Sequence, residues 1–219
     1  KSKKRKREPQ MNLASMKPIL DLAEEKGIAY GAYVTVSYDS ALAAIEAGSE
    51  LNVPVIFITG TDCCDLMGGF AGTVETVKRA AANTLVPIAL HLDHCRTYEE
   101  CVQAINAGYS SVMIDGSSLP FEENIALTKK VVDYAHPLGI SVEGELGKLV
   151  GEAGNLIVKG PEGAQTDPDE AQEFVRRTGV DCLAVSIGTQ HGAYLAAPNL
   201  NIARLKAIKA LVDVPLVLH

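Results

Sequence analysis

The segment PIALHLDH, residues 87–94, decides the fold of this 219-residue chain. It is a short apolar run that becomes polar at its carboxyl end, where His91, Asp93 and His94 stand. Similar short runs recur along the chain, each followed by a turn and a longer amphipathic stretch, which predicts parallel strands joined by crossover helices. The predicted strands are 29–36, 54–60, 87–94, 111–117, 141–147, 182–188 and 215–219.

The stretches between these runs repeat their apolar residues at the 3.6-residue spacing of a helix. A helical pattern follows Met11, and further helices are predicted at 39–51, 71–83, 98–107, 122–135, 167–178 and 200–212. Asp167 before Pro168 is a typical helix start. Glycines that suit a left-handed cap follow three of the helices, at Gly108, Gly139 and Gly179.

Seven strands with intervening helices fit either an open doubly wound sheet or an incomplete eight-stranded barrel. Polar side chains occur at the carboxyl ends of five strands: His91, Asp93 and His94; Asp115, Ser117 and Ser118; Glu143 and Glu145; Thr189 and His191; and His219. A barrel brings such ends together on one face, where active sites are built, whereas an open sheet spreads them along its edge. We therefore predict an α/β fold of the TIM (β/α)8 barrel type, with the eighth strand and last helices absent from this chain.

Composition is that of an acidic soluble protein with a large core, with 47% hydrophobic residues and a net charge of −7. We expect one barrel domain over residues 11–219, C-terminally incomplete, preceded by a disordered basic tail over residues 1–10. That tail is either a nuclear-localisation or polyanion-binding segment, or an expression remnant or solvated arm. We favour the second interpretation, so no nucleic-acid partner is expected. No apolar run is long enough to span a membrane, and the five cysteines lack paired CxxC spacing, which favours reduced thiols and a cytoplasmic protein.

Four of the five histidines stand at or just after a predicted strand end. Three neutral imidazoles from different strands, leaving one open position, are the ligand set of a catalytic zinc ion, and His94, His191 and His219 supply such a set. Side chains alternate along a strand, which puts His91 and Asp93 on one face and His94 on the other. His94 therefore reaches the same end of the barrel as Asp93 only if the strand ends there and the backbone turns. His91 is thus ambiguous, and we favour a supporting role.

Six segments together carry a family resemblance: PIALHLDHC, SVMIDGSSLPFEENIALTKKVV, SVEGELG, TDPDEAQEFV, GVDCLAVSIGTQHGAY and VDVPLVLH. In this order they resemble the class II, zinc-dependent ketose-bisphosphate aldolases, fructose- and tagatose-specific, and are closest to the tagatose-type branch. The resemblance runs from Met11 to His219. It implies a lyase that reversibly cleaves a ketose 1,6-bisphosphate to dihydroxyacetone phosphate and glyceraldehyde 3-phosphate, and we expect a homo-oligomer, dimer or tetramer. The alternatives are an aldolase for another phosphorylated keto-sugar, or a catalytically impaired barrel used for binding or assembly.

The resemblance also implies residue roles. His94, His191 and His219 match the zinc ligands, and Asp93 matches the acid/base residue at the C4 hydroxyl. Asp115 and Glu145 match acidic positions of an alternative or second divalent metal site. Gly192 matches a position whose backbone contacts phosphate and a monovalent cation. Ser37 and Gly60, after the first two strands, are also predicted to contact substrate or phosphate.

Two segments depart from the family pattern. The family has asparagines in an FNxxN-like segment after the first strand, where this chain reads YVTVS over residues 33–37. In the loop after Glu145, simple counting puts Ala153 at the position of the glutamate that moves the C3 proton. Glu152 is either its catalytic substitute or a solvated loop charge, and we predict that Gly151–Gln165 is a mobile lid that carries it. No lysine stands at a strand end, so imine chemistry fits poorly.

Overall fold

The computed structural model describes residues 13–147, 151–153, 156–158, 165–192 and 197–219, and the predicted tail, residues 1–10, lies outside them. The strands are β1 (Ala32–Val34), β2 (Val55–Thr59), β3 (Ile88–Cys95), β4 (Ser111–Ile114), β5 (Ser141–Leu146), β6 (Gly151–Ala153), β7 (Leu156–Val158), β8 (Cys182–Val185) and β9 (Leu216–Val217). The helices are α1 (Met16–Lys26), α2 (Tyr38–Leu51), α3 (Thr61–Asp65), α4 (Gly69–Ala80), α5 (Tyr98–Ala107), α6 (Phe121–Ala135), α7 (Pro168–Thr178) and α8 (Ile202–Leu211), with a 3-10 turn at His136–Leu138.

Each predicted strand and helix is present, most of them shorter at the ends than predicted. Two elements were missed, the short helix α3 and the β6–β7 hairpin. The helix α3 has five residues, too few to show a periodic apolar face. The hairpin is antiparallel, pairs Glu152 with Ile157, and falls in the stretch predicted as a lid, of which the residues 154–155 and 159–164 lie outside the described part of the chain.

Helix ends follow the predicted signals. The Asp167 side chain accepts hydrogen bonds from the backbone N–H groups of Asp169 and Glu170 at the start of α7. Gly108 and Gly179 end α5 and α7 in the left-handed region, with φ of 112° and 73°. Because the helices end at these glycines, the connections to the next strands are short. Short connections keep consecutive strands adjacent and parallel in the sheet. Among the described helices, none is long and apolar enough to cross a bilayer.

Seven strands form one parallel sheet in the order β1-β2-β3-β4-β5-β8-β9. In a flat sheet β3 and β9 would be about 19 Å apart, four strand spacings. Ring nitrogen atoms of His94 and His219, at the ends of these strands, are 2.8 Å apart. The sheet is therefore strongly curled, and the predicted barrel architecture is confirmed over these seven strands.

The curled sheet has two apolar layers. The larger one lies between the sheet and the surrounding helices and includes Phe57, Leu90 and Phe174, all fully buried. In the smaller one, Met16 and Ile19 of α1 pack with Ile56, Ala89 and Cys182. Helix α1 thus packs on strand residues near the amino ends of the sheet, and the polar residues lie at the opposite, carboxyl ends.

Candidate metal centre

Three imidazole rings converge at the carboxyl ends of the strands. His94 Nε2 lies 3.2 Å from His191 Nε2 and 2.8 Å from His219 Nδ1. One ring atom from each residue lies within 4.8 Å of the others. Two ligand nitrogen atoms of a tetrahedral zinc ion are about 3.3 Å apart, given Zn–N bonds of about 2.05 Å. The predicted set of three histidines is therefore brought together at a spacing that fits one zinc ion.

Carboxylates behind two of the rings set where their protons lie. His94 Nδ1 is 3.1 Å from Asp115 Oδ2, and His219 Nε2 is 2.9 Å from Glu143 Oε1. Because an ionised carboxylate only accepts hydrogen bonds, each ring donates an N–H on that side, so in a neutral ring the lone pair lies on the other nitrogen. The two remaining ring nitrogen atoms lie 2.8 Å apart, an arrangement that a proton or a metal ion between them would stabilise. Imidazole backed by carboxylate is typical of zinc sites, so these residues fit the predicted metal.

A bulge in β3 aims His94 at this point. Leu92 pairs with Val112 and Cys95 with Ile114, so β3 has one residue more than β4 across this interval. His94 has a φ of 47°, in the left-handed region that side chains other than glycine rarely adopt. The extra residue shifts the alternation, so Cys95 packs into the outer layer with Leu92. The strand does not end at His94, as the sequence suggested; the bulge provides the required turn.

Charge at the centre is dominated by the surrounding acids. Burial lowers the pKa of His219, but its hydrogen bond to Glu143 and the charge of that carboxylate outweigh burial and raise the pKa to about 9. Burial lowers the pKa of His191 to about 4, with the neighbouring rings of His94 and His219 acting in the same direction and Asp93 opposing them. The acids thus favour one positive charge among the rings, which a proton or a metal ion supplies.

Asp115 and Glu145 form a second possible ligand group with His94. Their ligand atoms lie within 4.8 Å of one another, and Glu145 Oε2 is buried without a hydrogen-bond partner among the described residues. Burial, with the charge of Asp115, raises the pKa of Glu145 to about 8. Burial also acts to raise the pKa of Asp115, but hydrogen bonds from His94 and Ser117 outweigh it and lower that pKa to about 2. A buried unpaired oxygen beside an ionised carboxylate fits the predicted second metal position.

The other predicted residues lie at or after the carboxyl ends of the strands. Asp93 is half-buried in β3 directly before His94. Gly192 is exposed, with a φ of 81° and no described atom within 4 Å of an added Cβ. Gly60 precedes α3, and Ser37 caps α2 in a capping box with Ser40, so its hydroxyl already has a structural partner.

The backbone of Glu152 lies in the β6–β7 hairpin, and its side chain lies outside what the structure describes.

Sequence reasoning left His91 ambiguous and gave Glu143 no role. His91 is buried, with Nδ1 2.7 Å from Ser111 Oγ and Nε2 3.5 Å from Glu143 Oε2. It is not among the groups of possible metal ligands in the described residues. The alternation of β5, which places Glu143 and Glu145 on one face, was the signal that could have identified Glu143.

Comparison with known proteins gives the family. The family described as fructose-bisphosphate aldolase class-II matches residues 14–219. The fructose-bisphosphate aldolase of Staphylococcus aureus is 43% identical over 211 residues, 95% of this chain and 73% of that protein. The crystal structure of the YdjI aldolase from Escherichia coli K12 is similar with a TM-score of 0.81 and 39% identity, over 94% of this chain and 72% of that one.

A fructose-bisphosphate aldolase from Campylobacter jejuni shares the fold alone, with a TM-score of 0.73 and 24% identity over 94% of this chain and 69% of that one. The matched residues 14–219 include the three converging histidines and both carboxylates behind them. This chain belongs to the class II fructose-bisphosphate aldolase family.

Proposed function

We propose that this protein is a zinc-dependent aldolase that cleaves fructose 1,6-bisphosphate to dihydroxyacetone phosphate and glyceraldehyde 3-phosphate, and catalyses the reverse condensation. The observation that carries the proposal is the convergence of His94, His191 and His219, with His94 Nε2 3.2 Å from His191 Nε2 and 2.8 Å from His219 Nδ1. The names of the relatives support fructose bisphosphate as the substrate.

His94, His191 and His219 would hold the zinc ion. When bound, zinc supplies positive charge that stabilises the negative charge developing on the ketose oxygen atoms as the carbon–carbon bond breaks. Asp115 and Glu143 fix the orientation of two ligand rings through their hydrogen bonds. Asp115 and Glu145, with His94, would form the alternative position for a divalent metal.

Asp93 is the proposed acid/base residue at the C4 hydroxyl. It precedes His94 in β3, and the bulge at His94 allows two consecutive side chains to face the mouth of the sheet. In the cleavage direction its carboxylate takes the proton from the C4 hydroxyl as that oxygen becomes the aldehyde oxygen. In the condensation direction it returns the proton to the same oxygen.

Glu152 is the proposed residue for the C3 proton. Its hairpin follows β5, the strand that carries Glu143 and Glu145, so the chain leaves the sheet close to the metal ligands. A carboxylic acid delivered from there protonates the carbon that becomes a hydroxymethyl carbon of dihydroxyacetone phosphate.

Phosphate contacts are proposed for three positions. Gly192 directly follows a ligand histidine, and its exposed left-handed backbone leaves the main chain open to a phosphate or a monovalent cation. Gly60 and Ser37 begin α3 and α2 at the carboxyl ends of β2 and β1, on the same edge of the sheet as the histidines. A cytoplasmic homo-oligomer is also proposed, and this part rests on the family resemblance.

The test is a coupled cleavage assay on zinc-loaded protein with fructose 1,6-bisphosphate, tagatose 1,6-bisphosphate and other phosphorylated keto-sugars. We expect fructose bisphosphate to be cleaved fastest and the His191→Ala variant to be inactive. His136→Ala is the matched control, because His136 bonds Asp181 away from the three rings and should leave turnover unchanged. Faster cleavage of the tagatose isomer would reassign the substrate, and no cleavage of any substrate would favour the binding function.

A further inference from the structure

Glu143 lies at the centre of a buried chain of polar side chains that the aldolase reaction does not itself require. Its side chain is 3% exposed, and Oε1 accepts a hydrogen bond from His219 Nε2 at 2.9 Å. The other oxygen, Oε2, is 3.5 Å from His91 Nε2 and from Cys182 Sγ. No Lys or Arg forms an ion pair with it among the described residues. A carboxylate buried in this way is costly unless the groups around it are fixed to donate to it.

Ser111 and His91 fix the far side of this chain. His91 Nδ1 and Ser111 Oγ are 2.7 Å apart, and one of them must donate. If His91 donated from Nδ1, its Nε2 lone pair would face the Glu143 carboxylate. The opposite arrangement, with the Ser111 hydroxyl donating to Nδ1 and the Nε2 proton facing Glu143, avoids that repulsion. Ser111 Oγ also lies 3.3 Å from the Ser141 carbonyl oxygen, a longer contact than the 2.7 Å to His91 Nδ1. The buried chain therefore runs from Ser111 through His91 and Glu143 to His219, and its His91–Glu143 step, at 3.5 Å, is an electrostatic contact rather than a hydrogen bond.

His219 needs such support more than His94 does. It follows β9, a strand of two residues that are only half-buried. His94, by contrast, lies within the eight-residue strand β3 and has Asp115 behind it. A ring on a short strand is held in one orientation and one tautomer mainly by its side-chain hydrogen bond. For His219 that bond is the one to Glu143.

We propose that Glu143, supported by His91 and Ser111, is a positioning residue that holds His219 as a zinc ligand through Nδ1. This rests on the proposed zinc-dependent function. The carboxylate fixes the proton on Nε2, so that the Nδ1 lone pair is directed at His94 and His191. Glu143 is not in either group of possible metal ligands among the described residues. Outer partners of this kind typically contribute about 10- to 100-fold to metal affinity.

The test compares zinc affinity, by chelator competition, for the parent and for Glu143→Gln. The amide keeps the size of the side chain but accepts a weaker hydrogen bond, and we expect about 10- to 100-fold weaker zinc binding. The visible absorption of the cobalt-substituted protein, which reports ligand geometry, should change as well. Asp181→Asn is the matched control: Asp181 Oδ2 accepts from the backbone N–H of Val142 and does not contact the three rings. That variant should keep its zinc affinity even if its melting temperature is lower.

Ser111→Ala tests the chain beyond Glu143. It should weaken zinc binding less than Glu143→Gln does, and should have no further effect in the Glu143→Gln background, because both changes act through the same contact. Additive losses would overturn the proposed chain. If the Glu143→Gln variant folds and binds zinc and cobalt as the parent does, the proposed role of Glu143 is overturned.

If Glu143→Gln does not fold, ¹⁵N spectra of the histidine rings in the zinc-loaded parent give the answer. We expect one ligand bound through Nδ1 with a proton on Nε2; three ligands bound through Nε2 would overturn the proposal. A parent protein that binds no zinc would instead contradict the proposed function, so the two failures are distinguishable.

Discussion

His94 Nε2 and His219 Nδ1 lie 2.8 Å apart although three strands separate β3 from β9 in the sheet. The pair can form only when the sheet is curled, so the ligand set does not exist in an unfolded or flattened chain. Any cation that binds both rings therefore binds the folded state in preference to the unfolded state. Metal affinity and folding stability are coupled in this protein.

Removal of zinc should abolish cleavage and lower the melting temperature together. At a free zinc concentration 100 times Kd, preferential binding to the folded state contributes about 2.7 kcal/mol to the free energy of unfolding. Calorimetry with and without chelator, metal analysis and a cleavage assay would measure both effects, and zinc should restore both. Full cleavage activity after verified metal removal would contradict the zinc-dependent mechanism.

Asp93→Ala should lower kcat by about two to four powers of ten, the contribution of a positioned acid/base group, while zinc stays bound. The reason is that Asp93 neighbours His94 in β3 but is not one of the three converging ligands. Steady-state kinetics and metal analysis on the same sample would check it. Asp213→Ala, which removes an exposed carboxylate before β9, is the control. Unchanged turnover would remove the proposed role of Asp93, and loss of zinc would make it structural.

Much of this fold was predictable because the sequence patterns are local. Apolar runs, caps such as Asp167 and the polar strand ends specify the order of the strands and the face that carries the histidines. The direction of His94 was not predictable in this way. It depends on an extra residue in β3 relative to β4 and on a left-handed backbone at a residue other than glycine, and both arise from strand pairing in three dimensions.

The roles of Glu143 and Ser37 were also not predictable from local sequence patterns. Alternation shows that Glu143 and Glu145 share a face, but not that one bonds His219 while the other lies beside Asp115. Ser37 was predicted to contact substrate from its position after a strand, and the structure gives it a capping role as well. The position of a residue along its strand shows whether it lies at the carboxyl end of the sheet. Its side-chain partner depends in addition on how deeply it is buried and on the residues of the neighbouring strands.

Ser37→Ala should lower the free energy of unfolding by about 1 kcal/mol, since the hydroxyl accepts from Ser40 N at the first turn of α2. Urea unfolding would measure the loss. Ser37→Asn keeps a capping acceptor and should retain stability. Kinetics on the same two variants separate the roles: if Ser37 also contacts substrate, both variants raise KM, and if it is only a cap, neither does.

Gly144→Ala should destabilise the protein by about 1–3 kcal/mol, the usual cost of overpacking a filled core. An added Cβ at Gly144 would lie 2.7 Å from Phe174 Cε1 and 3.2 Å from Val180 Cγ1, and Phe174 is fully buried against β5. Gly60→Ala is the matched control, because its φ of −71° suits any residue and no described atom lies within 4 Å of the added Cβ. The control should lose no more than about 1 kcal/mol, the cost of alanine at a helix start.

The contact with Phe174 can be tested as the cause by a double-mutant cycle in urea unfolding. Phe174→Leu alone leaves a cavity and destabilises, but in the Gly144→Ala background the smaller side chain makes room for the new methyl group. The double variant should therefore be more stable than the sum of the two single losses predicts, by an interaction of about 0.5–3 kcal/mol. Strict additivity would mean that the added methyl is accommodated elsewhere and that the close approach of α7 to β5 does not require glycine. Because Gly144 stands between Glu143 and Glu145, the Gly144→Ala variant should also bind zinc more weakly, and Phe174→Leu should restore part of that affinity.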